Sequence, residues 1–294
     1  MRVVMLQKLF SNSLQASTLN FGAIILHGAG INHHRMVNDK RIQLLIAFGY
    51  DGGRFFGLAP QPGKPTAAAA LKQRFLDAGV FPKALCFTSR TDAGVHALMN
   101  LATCWLKGPL DLPRVTAMIE TERDDGLVGV QIKQVPVHIH ARGLSRGKCY
   151  RYRVTGNWPP GRLTPCDRWA LVKSLQLERM QQAASYFIGR HDFSSFGYGR
   201  ARQQDPVREI RTIEAIQMDA GDGLPTIQFD IEGRSFLRQM VRIIVGTLTE
   251  VGAGLRDPDE MPLILMARDR RRAGVTAPAC GLTLVSIQTE PRFF

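Results

Sequence analysis

The sequence predicts an α+β fold in which antiparallel strands form a sheet backed by helices. Three observations predict it. Segments with a two-residue apolar period, such as Leu127–Val135 and Thr226–Glu232, alternate along the chain with segments of helical period, such as Ala67–Ala78. Of 294 residues, 45% are hydrophobic and 21% charged, enough apolar material for a core and too much for wholesale disorder. No stretch reaches the roughly 18 apolar residues of a membrane span.

Residues 1–38 carry Arg2, Lys8 and Arg35 without an acidic residue, and a weak stripe of Leu6, Phe10 and Leu14 runs into Ser-rich sequence. Two readings stay open: a disordered leader with Met36 as the working start, or an organelle transit peptide. Order begins at Arg41–Tyr50, a strand that ends in the turn Asp51-Gly52-Gly53. Thr66 offers an N-cap to a helix over Ala67–Ala78, with Ala67, Leu71, Phe75 and Ala78 on one face and Gly79 as its stop. Strands follow at Ala84–Ser89, Leu98–Leu106 and Leu127–Val135. The second half repeats this style. Lys148–Val154 is a strand, Leu177–Ile188 a helix and Thr226–Glu232 a strand with Ile227, Phe229 and Ile231 inward. Helices are expected over Ser235–Val251, where Phe236, Met240, Ile244 and Leu248 share a line, and over Pro258–Arg272. Leu282–Ile287 closes the chain. The expected organisation is an N-terminal extension (1–40, disordered) and two α+β units, 41–140 and 141–290.

Charge narrows the function. Against 38 Lys+Arg stand 25 Asp+Glu, a formal net charge of +13, which attracts polyanions and nucleic acid above all. Residues 142–153 contain Arg142, Arg146, Lys148, Arg151 and Arg153 with no acid; Arg200, Arg202, Arg208 and Arg211 form a second group. Both groups suit the neutralisation of an RNA backbone. For a third, Arg268 and Arg270–Arg272 beside Asp269, RNA contact and a solvated face both stay open. Five cysteines without Cys-x-x-Cys spacing argue against a disulfide framework and a zinc module, and suit a reducing compartment.

The segment with the most chemistry is Ser89-Arg90-Thr91-Asp92-Ala93-Gly94-Val95-His96, between two strands. A polar turn of this composition can exist simply to close a loop, because Asx side chains bond their own backbone. Arg90 beside Asp92 at the end of an apolar strand is also where a rigid scaffold carries site residues.

This segment resembles the active-site motif of the tRNA pseudouridine synthase A family. Three further segments match in order: Tyr50-Asp51-Gly52 with Phe55-Phe56-Gly57; His140-Ala141-Arg142 followed by Tyr150-Arg151-Tyr152; and Phe236 with Met240-Val241-Arg242, Val245-Gly246 and Glu250-Val251-Gly252. The resemblance implies the pseudouridine synthase fold, two similar domains with a basic cleft between them. It also implies a cytoplasmic homodimer (mitochondrial if residues 1–38 are a transit peptide), tRNA as partner, no membrane, and an isomerisation of uridine in the anticodon stem-loop. Breaking N1–C1′ and joining C5 to C1′ changes no oxidation state, so no cofactor and no metal is expected. Asp92 would attack C1′ or remove a ribose proton, Arg242 would pair with Asp92, and Tyr150 would stack on the flipped uracil and serve as a base at C5. Arg90 would hold the strand open, Phe236 would close the apolar wall, and Arg142, Lys148 and Arg208 would meet the RNA.

The sequence departs from the family pattern at Leu58-Ala59-Pro60-Gln61, at Ser89 in place of the usual Gly, at Glu120–Leu127 and at Leu98-Met99-Asn100. These loops would frame the RNA, so a shifted RNA target is an open alternative. A non-catalytic RNA-binding protein on the same scaffold is the principal rival. A metal-dependent nuclease using Asp124/Asp125 or Asp257/Asp259 is a third reading, set back by the lack of several convergent carboxylates.

Overall fold

The computed structural model describes residues 41–199 and 205–294. The expected N-terminal extension and Arg200 and Arg202 lie outside the described residues. The first half contains β1 (Arg41–Tyr50), α1 (Ala67–Asp77), β2 (Lys83–Phe87), β3 (His96–Lys107), α2 (Leu112–Glu120) and β4 (Leu127–Val135). The second contains α3 (Ala141–Leu144), β5 (Ser145–Thr155), β6 (Trp169–Ala170), α4 (Leu177–Ser185), β7 (Gly189–Asp192), β8 (Val207–Asp219) and β9 (Pro225–Gly233). It ends with α5 (Met240–Gly252), α6 (Met261–Ala267) and β10 (Leu282–Thr289).

Local chemistry sets these bounds. Thr66 Oγ1 accepts from the Ala69 N–H at 3.3 Å, and Asp111 Oδ1 from the Arg114 N–H at 3.2 Å, so α1 and α2 begin where their caps stand. Leu44–Phe48 is buried on both faces of β1, as a central strand requires. The expected helix over 235–251 starts five residues late, at Met240, because Gln239 takes a left-handed φ of 61°. Phe236 therefore lies on the approach to the helix, off its apolar line. The expected helix over 258–272 is interrupted in the same way at Arg268, with φ 50°.

The strands form one mixed sheet, ordered β4-β1-β3-β10-β5-β9-β8-β7, with β2 on β3 and β6 on β5. Along the main path each half pairs antiparallel within itself. The halves meet at a short parallel contact, His96 with Thr283 and Ala97 with Leu284, so both halves share one continuous sheet. That junction places the site. In register, Thr283 also faces Arg151 and Leu284 faces Tyr150, so the loop that feeds β3 at His96 emerges beside β5.

Helix α5 is buried along almost its whole length, and α4 packs against it, its N-terminus tied by the Gln176 N–H to the Gly252 carbonyl at 2.9 Å. Gly246 lets residues 273–277 lie directly on α5: a Cβ there would come within 1.9 Å of the Val275 carbonyl oxygen. Thr247 Oγ1 accepts from the Gly274 N–H, Glu250 from the Val275 N–H, and Arg270 donates to the carbonyls of Ala273 and Gly274. The segment is strapped to the helix.

Candidate active site

Asp92 lies in the loop between β2 and β3, and several bonds fix that loop. Tyr50 Oη meets Thr91 Oγ1 at 2.8 Å, the Leu58 N–H donates to the Thr91 carbonyl at 3.3 Å, and the Gly94 N–H donates to the Phe55 carbonyl at 3.3 Å. Gly57, at φ 90°, passes so close beneath that a Cβ would meet the Thr91 carbonyl oxygen at 2.8 Å. His96 Nδ1 accepts from the Gly52 N–H at 3.1 Å, leaving Nε2 to donate to the Cys166 carbonyl at 3.0 Å. The first turn and the Asp92 loop are thus one rigid unit.

Arg242, in the first turn of α5, donates from Nη1 to Asp92 Oδ2 at 3.2 Å across a sequence separation of 150 residues. Its Nε donates to the Ala277 carbonyl at 2.7 Å, and the Ala277 N–H donates back to the Arg242 carbonyl at 3.1 Å. The strapped segment thereby orients the guanidinium. Arg238, which the sequence reading did not single out, brings a second guanidinium to 3.9 Å from Asp92 Oδ1, and the same group lies 5.4 Å from the centre of the Tyr198 ring.

Tyr150 projects from β5 into the same space. Its ring meets Phe236 edge to face, centroids 5.3 Å apart and planes at 90°. Its hydroxyl lies 3.0 Å from Ser89 Oγ. Burial pushes the Tyr150 phenol above its ordinary value, the Ser89 bond opposes the rise, and the Asp92 charge adds to it. Lys148, two residues earlier on β5, donates to the Thr88 carbonyl at 3.3 Å, and burial pulls its ammonium below the ordinary lysine value.

These side chains line one cavity of about 740 Å³. Its polar lining includes Arg90, Asp92, Lys148, Arg238 and Arg242 with Ser89, Thr91 and Gln61; its apolar walls include Phe56, Tyr150, Phe236 and Leu282. Four cations thus surround one carboxylate, in a space of ordinary ligand-pocket size. The arrangement sets a carboxylate beside a flat apolar surface within a ring of cations.

Of the sequence-predicted residues, Asp92, Tyr150, Arg242, Arg90, Phe236 and Lys148 come together here. Arg142 and Arg208 do not line the cavity: Arg142 is exposed on α3, and Arg208 on β8 pairs with Asp205 at 3.3 Å. Most of the first basic group is engaged within the protein. Arg151 makes a two-pronged bond to Asp230 at 2.8 Å, Arg153 bonds Gln228 and lies near Asp167, and Arg146 lies near Glu290. The carboxylates of the nuclease reading have structural partners: Asp124 with Arg54, Asp125 with Arg74, Asp257 with the Asp259 N–H, and Asp259 with Tyr186 and Gln182. Among the described residues no group of three or more His, Cys, Asp or Glu is placed to hold a metal, and no helix is long and apolar enough to cross a membrane.

A family model described as tRNA pseudouridine synthase matches residues 183–289. A protein of Acetivibrio thermocellus named tRNA pseudouridine synthase A is 36% identical over 248 residues, 84% of this chain and 99% of the relative. The chain belongs to the tRNA pseudouridine synthase A family. Relatives of the same name from Myxococcus xanthus and Geotalea uraniireducens are 35% and 34% identical, covering 83% and 84% of this chain and 91% and 99% of theirs. Membership makes the protein an isomerase-type pseudouridine synthase.

Proposed function

We propose that this protein isomerises uridine to pseudouridine in the anticodon stem-loop of tRNA, acting in the cytoplasm as a homodimer, with residues 41–140 and 141–290 as two domains on either side of the bound RNA. The observation that carries the reading is the Asp92–Arg242 pair at 3.2 Å inside a basic cavity walled by Tyr150. The reaction breaks N1–C1′, turns the base and joins C5 to C1′; the hydrogen lost from C5 is balanced by one gained at N1. Asp92 supplies the negative oxygen that this sequence requires, whether it attacks C1′ or takes a ribose proton. Arg242, bonded to that oxygen at 3.2 Å, aims it. Tyr150 offers the released base a flat face, Phe236 sets that face, and Arg90 and Lys148 meet the phosphates beside an extruded nucleotide.

A matched set of unmodified tRNA transcripts incubated with the protein, followed by carbodiimide-stop mapping, tests the reading. Stops confined to the anticodon arm are the expected result. Tight binding without stops would favour the non-catalytic RNA-binding rival, and stops elsewhere would mean a shifted RNA target.

A further inference from the structure

Among the described residues, the Ser89 hydroxyl has one hydrogen-bond partner. Its Oγ lies 3.0 Å from Tyr150 Oη, and both residues are buried, at 3% and 8% exposure. The backbone of Ser89 is fixed independently: its carbonyl accepts from Asn100 Nδ2 at 2.9 Å, and Asn100 is wholly buried. Asn100 Nδ2 also reaches Tyr50 Oη at 3.4 Å, the hydroxyl that holds Thr91. Ser89, Thr91 and Asp92 are therefore carried by one braced loop. Ring mechanics show what the hydroxyl bond adds. The phenol oxygen lies on the axis about which a tyrosine ring twists, so a bond there cannot set the twist. It sets where the ring swings. The perpendicular contact from Phe236 sets the twist.

We infer that Ser89 is a positioning residue for Tyr150, tying the stacking ring to the loop that carries the reacting carboxylate. A glycine at this position could brace the loop through its carbonyl but could not hold the ring. The inference rests on the proposed role of Tyr150 and adds a specific part to it: the distance between the carboxylate and the face on which the base turns is set by one short loop.

The test combines Ser89→Ala, Tyr150→Phe and the double variant in the full-length protein. At saturating tRNA, Ser89→Ala should lower kcat about tenfold, the worth of one well-made buried hydrogen bond, with KM within about twofold of wild type. In the Tyr150→Phe background the same change should cost nothing further. Tyrosinate absorbance, taken as the difference from Tyr150→Phe, should set in at higher pH in Ser89→Ala, because a hydroxyl that can donate to the phenolate has been removed. Unchanged melting temperatures would show that the loop survives through the Asn100 bond. An unshifted ionisation, or an equal loss in both backgrounds, would overturn the proposal. Absence of pseudouridine with wild-type protein would overturn the functional reading instead, while the ionisation shift still decides the contact.

Discussion

A carboxylate that must stay charged in a cavity needs a partner that cannot lose its proton, and arginine is that partner. Asp92 has two, and Arg242 is the better placed because Ala277 fixes it from both its donor and acceptor sides. Asp92→Asn keeps size and hydrogen-bonding shape but removes the negative oxygen. Turnover should fall by more than about 10³-fold while tRNA affinity stays within a few-fold, because four cations still line the cavity. Single-turnover rates beside filter-binding constants separate the two quantities, and a variant with substantial activity would refute the assignment. Arg242→Lys should cost about 10–100-fold, since an ammonium cannot bond Asp92 and the Ala277 carbonyl at once in a fixed plane. Wild-type turnover in that variant would mean that the Arg242–Asp92 pair holds the loop without taking part in the reaction. Asp92, Tyr150 and Arg242 were legible because each stands in a recognisable run of neighbours. Arg238 was not, since a basic residue on an irregular approach to a helix carries no periodic signal. The partnership of Ser89 with Tyr150 was equally hidden, as only the fold brings residues 89 and 150 together.

Elements whose signals are local were read closely from sequence, and those set by long-range geometry were not. The Thr66 cap and the Gly79 stop delimit α1, and the unbroken alternation of β9 needs no help from neighbours. Strand β8 escaped because a register shift between Ile210 and Thr212 puts its buried residues Ile210 and Ala215 five apart, off any two-residue period. The late start of α5 escaped because a left-handed Gln239 is dictated by the turn into the cavity. Two predictions belong here. Gly246→Ala drives a methyl into the Val275 carbonyl, so the strap must lift from α5. We expect destabilisation of about 3 kcal/mol and a loss of turnover through Arg242, readable together by denaturant melts and kinetics. The second concerns Arg74, only 1% exposed and bonded twice to Asp125, at 2.6 and 2.8 Å, and to the carbonyls of Ile119 and Thr121. Burial would raise the Asp125 carboxyl, but the bonds from Arg74 and from the Leu127 N–H outweigh it and leave it below the usual carboxylate range. A depressed folded-state value means stability that is fully present above about pH 4 and is lost as pH falls through that lower value. Asp125→Asn leaves the buried Arg74 without its anion, so it should lower stability by about 3 kcal/mol at neutral pH and flatten the acid limb of the melting curve. An acid limb identical to wild type would show that the clamp contributes nothing. This clamp occupies the run Glu120–Leu127 that departs from the family pattern, so its charge pair serves the fold.

At the scale of the whole molecule, a net charge of +13 invites the inference that any arginine helps to hold RNA. The structure divides the cations into two populations. Arg151, Arg74 and Arg256 have carboxylate partners within 3 Å, and Arg271, although 90% exposed, pairs with Asp269 at 2.8 Å. Arg90 is exposed at the cavity mouth beside Asp92. Only a cation that meets a phosphate releases counterions on binding, so the slope of log affinity against log salt counts contacts rather than net charge. Arg90→Gln and Arg271→Gln each remove one unit of charge. The first should reduce the magnitude of the slope for unmodified tRNA by about 0.7–1 and weaken binding most at low salt. The second should leave the slope unchanged, because its guanidinium is already engaged by Asp269 on a late turn that lines no part of the cavity. Equal effects from both variants would mean that a diffuse field captures the RNA. Unequal effects in the stated order would locate the binding energy at the mouth of the Asp92 cavity, where the same contacts that hold the strand can also keep a nucleotide turned out of its stack.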